Sequence, residues 1–159
     1  WLLFAPIKKD RTDFIVEKAA ELGAARILPV QTDFTQGERI RQDRLQAHAV
    51  AAAEQCGGTY VPEVAPLTKL SQVLADWPAD RKLMFCDEAA EGGDLPRASD
   101  GAGTSWAIVI GPEGGFSDAE RATLRALGHT VSLGPRILRA DTAAVAAMTL
   151  WQSQLGDWR

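Results

Sequence analysis

The chain has 159 residues, 46% apolar and 24% charged, an ordinary globular composition that suits one α/β domain with a core of its own. Its formal net charge of −4 argues against a non-specific nucleic-acid binder, so attraction for nucleic acid would need a local basic patch or another domain. No run is apolar for long enough to span a bilayer and no signal-peptide pattern opens the chain, so the expected location is the cytoplasm.

Trp1 stands where an initiator methionine would, and the expectation is a fragment or a processed form. Trp1 to Ala5 reads as a short buried strand, and Lys8 to Arg11 as a charged turn. A helix is expected from Thr12, with Phe14, Ile15, Ala19 and Leu22 on its apolar face and Gly23 as its stop. Arg26 to Val30 reads as a second strand, with Pro29 near its end or on an edge. Thr32 to Gly37 is polar loop. An alanine-rich helix covers 41–54 and ends at Cys56-Gly57-Gly58. Val61-Pro62 starts an extended connection, and a short helix covers Leu67 to Leu74.

Lys82 to Asp87 reads as a third strand, Glu88 to Thr104 as a loop, and Trp106 to Ile110 as a fourth strand. Ser117 and Glu120 form a capping box, in which each side chain satisfies the other's orphan backbone donor. That helix stops at Gly128. His129 to Leu133 is a fifth strand, and Asp141 to Leu155 a last helix with Asp141 and Thr142 as its caps. Strands alternate with helices, which predicts an α/β fold: a parallel-rich sheet flanked by helices on both faces.

Cys56 and Cys86 fit no CxxC pattern and read as free buried thiols. His48 and His129 have no second histidine at ligand spacing, so no metal site is expected; the first reads as surface or packing, the second as structural.

Two loops carry the chemistry. Gly111-Pro112-Glu113-Gly114-Gly115-Phe116 follows a strand and opens a helix, at the end of a sheet where small ligands bind. Its exposed N–H groups would suit a phosphate, but Glu113 would not, and it lacks the lysine of a Walker loop and the spacing of a dinucleotide fingerprint. A carboxylate among glycines suits a nucleoside bearing a cationic sulfur and an amino-acid tail, which describes S-adenosylmethionine. The second loop, Leu133-Gly134-Pro135-Arg136-Ile137-Leu138-Arg139, also follows a strand and opens a helix. Its leucines and isoleucine either plug a core or enclose an adenine. Arg136 and Arg139 are either surface charges or hold a carboxylate or RNA phosphate.

In this order the two loops resemble the RsmE family of SPOUT methyltransferases, whose GPEGGF and LGxRILRxETA signatures match Gly111 to Phe116 and Leu133 to Ala143. A KxxRxxxIxxKAxELG pattern matches Lys8 to Gly23, and Glu54-Gln55 followed by Pro62 also fits. Two positions depart from the pattern: Asp141 stands where the family usually has Glu, and Gly57-Gly58-Thr59 where it usually has Arg.

The resemblance covers nearly the whole of 1–159. It implies a SPOUT-type domain with a C-terminal trefoil knot, a PUA-like RNA-binding domain ahead of it that is absent from this chain, and a homodimer with the cofactor pocket at or near the interface. It implies methylation of N3 of a uridine in 16S ribosomal RNA, with S-adenosylmethionine as donor. The alternatives are a cofactor-free RNA-binding module of the same fold and a nucleotide-dependent Rossmann-type enzyme. The implied cofactor residues are Cys86, Gly111, Glu113, Gly114, Gly115, Leu133, Gly134, Ile137 and Leu138. Lys18, oriented by Glu21, and Arg139 are the implied catalytic residues, and Arg11 and Arg136 the RNA contacts.

Overall fold

The computed structural model describes residues 1–36, 39–100 and 104–158. Gly37 and 101–103, which fall in two expected loops, lie outside the described residues. In chain order the elements are β1 (Leu2–Phe4), α1 (Lys9–Glu21), β2 (Arg26–Gln31), α2 (Gln42–Gln55), β3 (Glu63–Val64), β4 (Thr68–Lys69), α3 (Leu70–Ala75), β5 (Arg81–Cys86), β6 (Ser105–Ile110), α4 (Asp118–Leu127), β7 (His129–Val131) and α5 (Ala140–Gln154). A single 3-10 turn, Ala98–Asp100, interrupts the loop before β6.

Among the described residues the sheet has seven strands in the order β3-β2-β1-β6-β5-β7, with β4 pairing β2 beside β3. Every pairing is parallel. β1 and the middle of β2, β5 and β6 are apolar because both faces are covered there. Leu2, Phe4, Ile27, Met84, Ile108 and Ile110 face α1, α2 and α5. The alternate residues Leu3, Leu28, Leu83, Phe85, Ala107 and Val109 face α3 and α4. The expected two-faced sheet is present. Because all strands run the same way, their carboxyl ends, and the loops that leave them, share one pole.

Several boundaries differ from expectation for local reasons. α1 starts at Lys9, a turn before Thr12. The Thr12 hydroxyl instead fastens the approach to the helix, accepting from the Ile7 N–H at 2.9 Å and donating to the Ile7 carbonyl at 3.1 Å. Phe14 is not on the buried face: Ile15, Val16, Ala19 and Ala20 fill it, while Phe14 is exposed with the Lys18 ammonium 5.5 Å from its ring. Gly23 does stop the helix, at φ +90°. Pro29 lies inside β2, between its pairings with β3 at Arg26 and Ile27 and with β4 at Val30 and Gln31, where no outer neighbour needs a donor.

The two-residue strands β3 and β4 escaped the sequence reading. α2 covers the short edge that β3 makes. Gln42 donates to the Val64 carbonyl at 2.8 Å, and Gln46 both donates to Pro62 at 3.0 Å and accepts from the Val64 N–H at 2.9 Å. The capping box at Ser117 and Glu120 forms as expected. Asp141 and Thr142 do not cap α5: its N-cap is Arg139, and Asp141 sits inside the first turn. Among the described residues no helix is long and apolar enough to cross a membrane.

Candidate active site

At the carboxyl pole, the loops leaving β5, β6 and β7 surround a cleft of about 520 Å³ with the start of α1. That volume suits a ligand of nucleoside size.

The loop after β6 is a tight turn, closed by the Gly115 N–H donating to the Pro112 carbonyl at 2.9 Å. Gly115 has φ +72°, a conformation that a side chain disfavours. The Phe116 ring folds back over Gly111 and packs edge-on against Phe85 of β5, with centroids 5.2 Å apart. A Cβ at Gly111 would stand 2.7 Å from that ring, so the glycine gives the aromatic anchor its seat. Glu113 is exposed at the tip and lines the cleft with Gly111 and Pro112.

The loop after β7 forms the opposite wall. Gly134 has φ +109°. Leu133 and Leu138 are half-buried, whereas Ile137 is 82% exposed although it lines the cleft. An apolar side chain held in the open at a cleft mouth is a surface awaiting cover. Lys8, Arg11, Arg136 and Arg139 line the same cleft, so among the described residues four cations face Glu113, which has no ion-pair partner, and the carboxylates at the end of β5.

Those carboxylates have partners on α4. Asp87, 2% exposed, accepts from Arg125 at 2.8 Å and lies 3.4 Å from Arg121. Arg121 also approaches Glu88 at 3.6 Å and donates to the Phe116 carbonyl at 3.2 Å. One helix thereby ties the end of β5 to the glycine turn.

The cleft gathers Cys86, Gly111, Glu113, Leu133, Gly134, Ile137 and Leu138 of the expected cofactor residues, together with Arg11, Arg136 and Arg139. Gly114 and Gly115 do not line it: a Cβ on Gly114 would meet Phe34 at 3.4 Å, and one on Gly115 would meet Glu88 at 2.2 Å. They shape the turn from behind. Lys18 and Glu21 also lie outside the cleft, because along α1 they sit about 10 Å and about 15 Å, two and nearly three helical turns, from Arg11. Their expected pairing is present at 2.8 Å, and that hydrogen bond raises the Lys18 ammonium above its ordinary value, keeping it a cation. Arg11 has a structural tie: it donates to Asp141 of α5 at 2.9 Å, joining the starts of two helices far apart in sequence.

Sequence reasoning passed over Lys8, Asp87 and Glu88 as site residues. Lys8 was visible as the first residue of the KxxR pattern; the two carboxylates had no local signal.

Neither cysteine is in a disulfide, and Cys56 is exposed, contrary to the expectation of burial. Cys86 is half-buried as a residue, but its thiol is enclosed and burial pushes its pKa up to about 12. The thiolate fraction there at neutral pH is on the order of one in ten thousand or less. Ellman's reagent at pH 7.5 should therefore titrate Cys56 promptly and Cys86 only after denaturation. Two fast equivalents from the native chain would contradict the enclosed thiol. His48 bridges helices, with Nδ1 2.8 Å from Glu17 and Nε2 3.5 Å from Asp13. His129 stacks on Trp106 at 5.2 Å, a structural role. Among the described residues no group of three or more His, Cys, Asp or Glu is placed to hold a metal.

Comparison with known proteins places this geometry. The family model described as an RNA methyltransferase domain matches residues 1–152. The ribosomal RNA small subunit methyltransferase E of Bacillus subtilis is 32% identical over 155 residues, covering 89% of this chain and 60% of that protein. The crystal structure of the Neisseria gonorrhoeae ribosomal RNA small subunit methyltransferase E, bound to S-adenosyl methionine, is 31% identical with a TM-score of 0.86, over 99% of this chain and 67% of that one. The SpoU methyltransferase AviRb of Streptomyces viridochromogenes, 19% identical with a TM-score of 0.62, shares the fold. The chain spans about 60% of the length of the curated relatives it matches.

Proposed function

The chain belongs to the RNA methyltransferase domain family, and on that premise we propose that its cleft binds S-adenosylmethionine and presents the methyl group to N3 of a uridine in 16S ribosomal RNA. The observation that carries this reading is the convergence of the loops after β6 and β7 on one cleft, with apolar side chains on one wall and the Glu113 carboxylate on the other. The residues fit such a ligand. Leu133, Ile137 and Leu138 offer apolar cover to an adenine, and Glu113 offers charge to a sulfonium or ammonium group. When bound, the cofactor supplies a methyl group on a cationic sulfur.

The protein's own part is electrostatic and positional. Uridine N3 carries a proton that must pass to solvent or a base as the methyl group arrives, and its loss spreads negative charge onto the uracil oxygens. Lys8, Arg136 and Arg139 place cations at the cleft edge, where such charge is stabilised. The same cations attract RNA phosphates despite the net charge of −4. The loops on either side of the cleft would hold the partners in line. A homodimer and the C-terminal trefoil knot of the SPOUT fold belong to this reading. In this reading Lys18, oriented by Glu21, remains a candidate to stabilise the uracil anion, although on one chain both stand outside the cleft. The small ribosomal subunit in the cytoplasm is its setting.

Calorimetric titration with S-adenosylhomocysteine, with NAD and ATP as controls, tests it. Saturable binding of the adenosyl ligand alone is expected; silence from that ligand with a signal from NAD or ATP would overturn it. Glu113→Lys should weaken S-adenosylmethionine more than S-adenosylhomocysteine, by about tenfold, because only the former carries the sulfonium charge. Equal loss for both would mean that Glu113 does not face the sulfur.

A further inference from the structure

A second cleft opens on the same pole. It has a volume of about 730 Å³ and is lined by Gln31 at the end of β2, Thr32 and Asp33 after it, Lys69 at the end of β4, and Glu120 of α4. Phe34 stands on the ridge between the two clefts. Its neighbour Asp33 lines the second, while Gly114, against which Phe34 packs, follows Glu113 of the first.

The turn that carries Phe34 is built rigidly. The Thr35 hydroxyl accepts from the Thr32 N–H at 2.8 Å and shares a hydrogen bond with the Thr32 hydroxyl at 2.7 Å. The Thr35 N–H returns to the Thr32 carbonyl at 3.3 Å. Asp33 is fixed to the start of α4, its N–H donating to Glu120 at 3.1 Å and its carboxylate accepting from the Ser117 hydroxyl at 2.5 Å. Yet the residue at the tip, a phenylalanine, is 46% exposed. These five hydrogen bonds hold an apolar ring in water beside the glycine turn. Ordering it there has no benefit to the core. The two carboxylates lining the second cleft, Asp33 and Glu120, keep their charge but are turned onto neutral N–H and hydroxyl donors, whereas the Lys69 side chain is exposed and has no ion-pair or hydrogen-bond partner among the described residues.

A fixed exposed aromatic ring next to a free cation is the arrangement that receives an unpaired nucleotide, with the base on the ring and the phosphate on the cation. We infer that Phe34 is a stacking platform for a base flanking the methylated one, and that the second cleft, with Lys69, holds the backbone of that flanking nucleotide. The inference rests on the proposed RNA methyl transfer and extends it to a site outside the cofactor cleft. The glycine turn would then be read from both sides: cofactor on the Glu113 side, RNA on the Gly114 side.

The test uses the whole chain saturated with S-adenosylhomocysteine and a short fluorescein-labelled, uridine-rich single-stranded RNA, read by anisotropy. Phe34→Ala should weaken RNA binding by about tenfold, and Phe34→Trp should restore it, since any flat ring serves. Lys69→Ala should weaken binding and lower the salt dependence by about one counterion. Calorimetry with S-adenosylhomocysteine and sedimentation of each variant should match the parent. RNA binding unchanged in Phe34→Ala, or absent in the parent chain, would overturn the platform. A variant that keeps RNA binding but loses self-association would assign Phe34 to a contact between copies, and would overturn it too. RNA binding lost with Phe34 in a chain that ignores S-adenosylhomocysteine would leave the platform standing and remove the transfer reading.

Discussion

Asp87→Ala is expected to lower stability by about 3 kcal/mol, which for a domain of this size shifts Tm by roughly 6–12 °C. The carboxylate is almost wholly enclosed at the end of β5 and faces Arg121 and Arg125 of α4. It also accepts from the Ala89 N–H at 3.0 Å. Removing it leaves the largely enclosed Arg121 guanidinium with only Glu88 as a charged partner, and it frees a backbone donor. That is the costly way to break a buried pair. Asp87→Asn keeps the shape and part of the hydrogen bonding, so its loss should be smaller. Arg125→Ala should cost less still, because Arg125 is half exposed and solvent screens it. Urea unfolding of the three variants checks the order. A loss below 1 kcal/mol for Asp87→Ala would show that water already screens the network. Arg121 also anchors the Phe116 carbonyl, so the same variant should weaken S-adenosylhomocysteine binding through the glycine turn.

Gly128→Ala should be nearly as damaging, by a different route. Gly128 has an extended backbone, φ −145°, which any residue adopts, so the argument is one of space. A Cβ there would stand 2.5 Å from the Leu83 carbonyl oxygen and 2.7 Å from a Leu83 methyl carbon, and Leu83 is fully buried in β5. Backbone cannot give way as a flexible side chain can. The joint between α4 and β7 must move off β5, at about 3 kcal/mol. Because β7 delivers the Leu133–Arg139 loop, the shift should reach the cleft and weaken the adenosyl ligand as well. Gly57→Ala is the contrast. Nothing lies within 4 Å of a Cβ at Gly57, but φ is +70°, so the expected cost is about 1 kcal/mol of local strain with ligand binding intact. Equal effects of the two substitutions would dismiss the packing argument at Gly128.

What was legible in the sequence was what local chemistry determines. The Ser117–Glu120 box needs only a hydroxyl and a carboxylate three residues apart, and Gly23 announces its left-handed stop by itself. The two loops that line the first cleft could be placed because glycine and proline between a strand and a helix fit few backbones. Phe14 misled because helical spacing marks an apolar stripe without saying where its edge falls, and Phe14 lies just beyond it. The strands β3 and β4 are too short to show alternation, and they exist because β2 offers them an edge. Lys18 and Glu21 lie on α1 away from the cleft, and spacing along a helix cannot tell which end meets it. The Asp87–Arg121–Arg125 network was invisible because its members meet only after β5 and α4 have packed, and the Arg11–Asp141 pair awaits the whole sheet.

The pairing of β1 with β6 sets Leu2 opposite Ile108 and Phe4 opposite Ile110. During synthesis the first strand therefore emerges long before its central neighbour exists. Until β6 has left the ribosome, β1 can pair only with β2, and its other edge, with three fully buried side chains of the final core, is open to foreign strands. Contacts of such separation make folding slow, because the chain must close a very long loop before the sheet rewards it. A chain built this way would depend on protection from aggregation while nascent, and its expression should respond to nascent-chain chaperones and to slower translation ahead of the β6 codons.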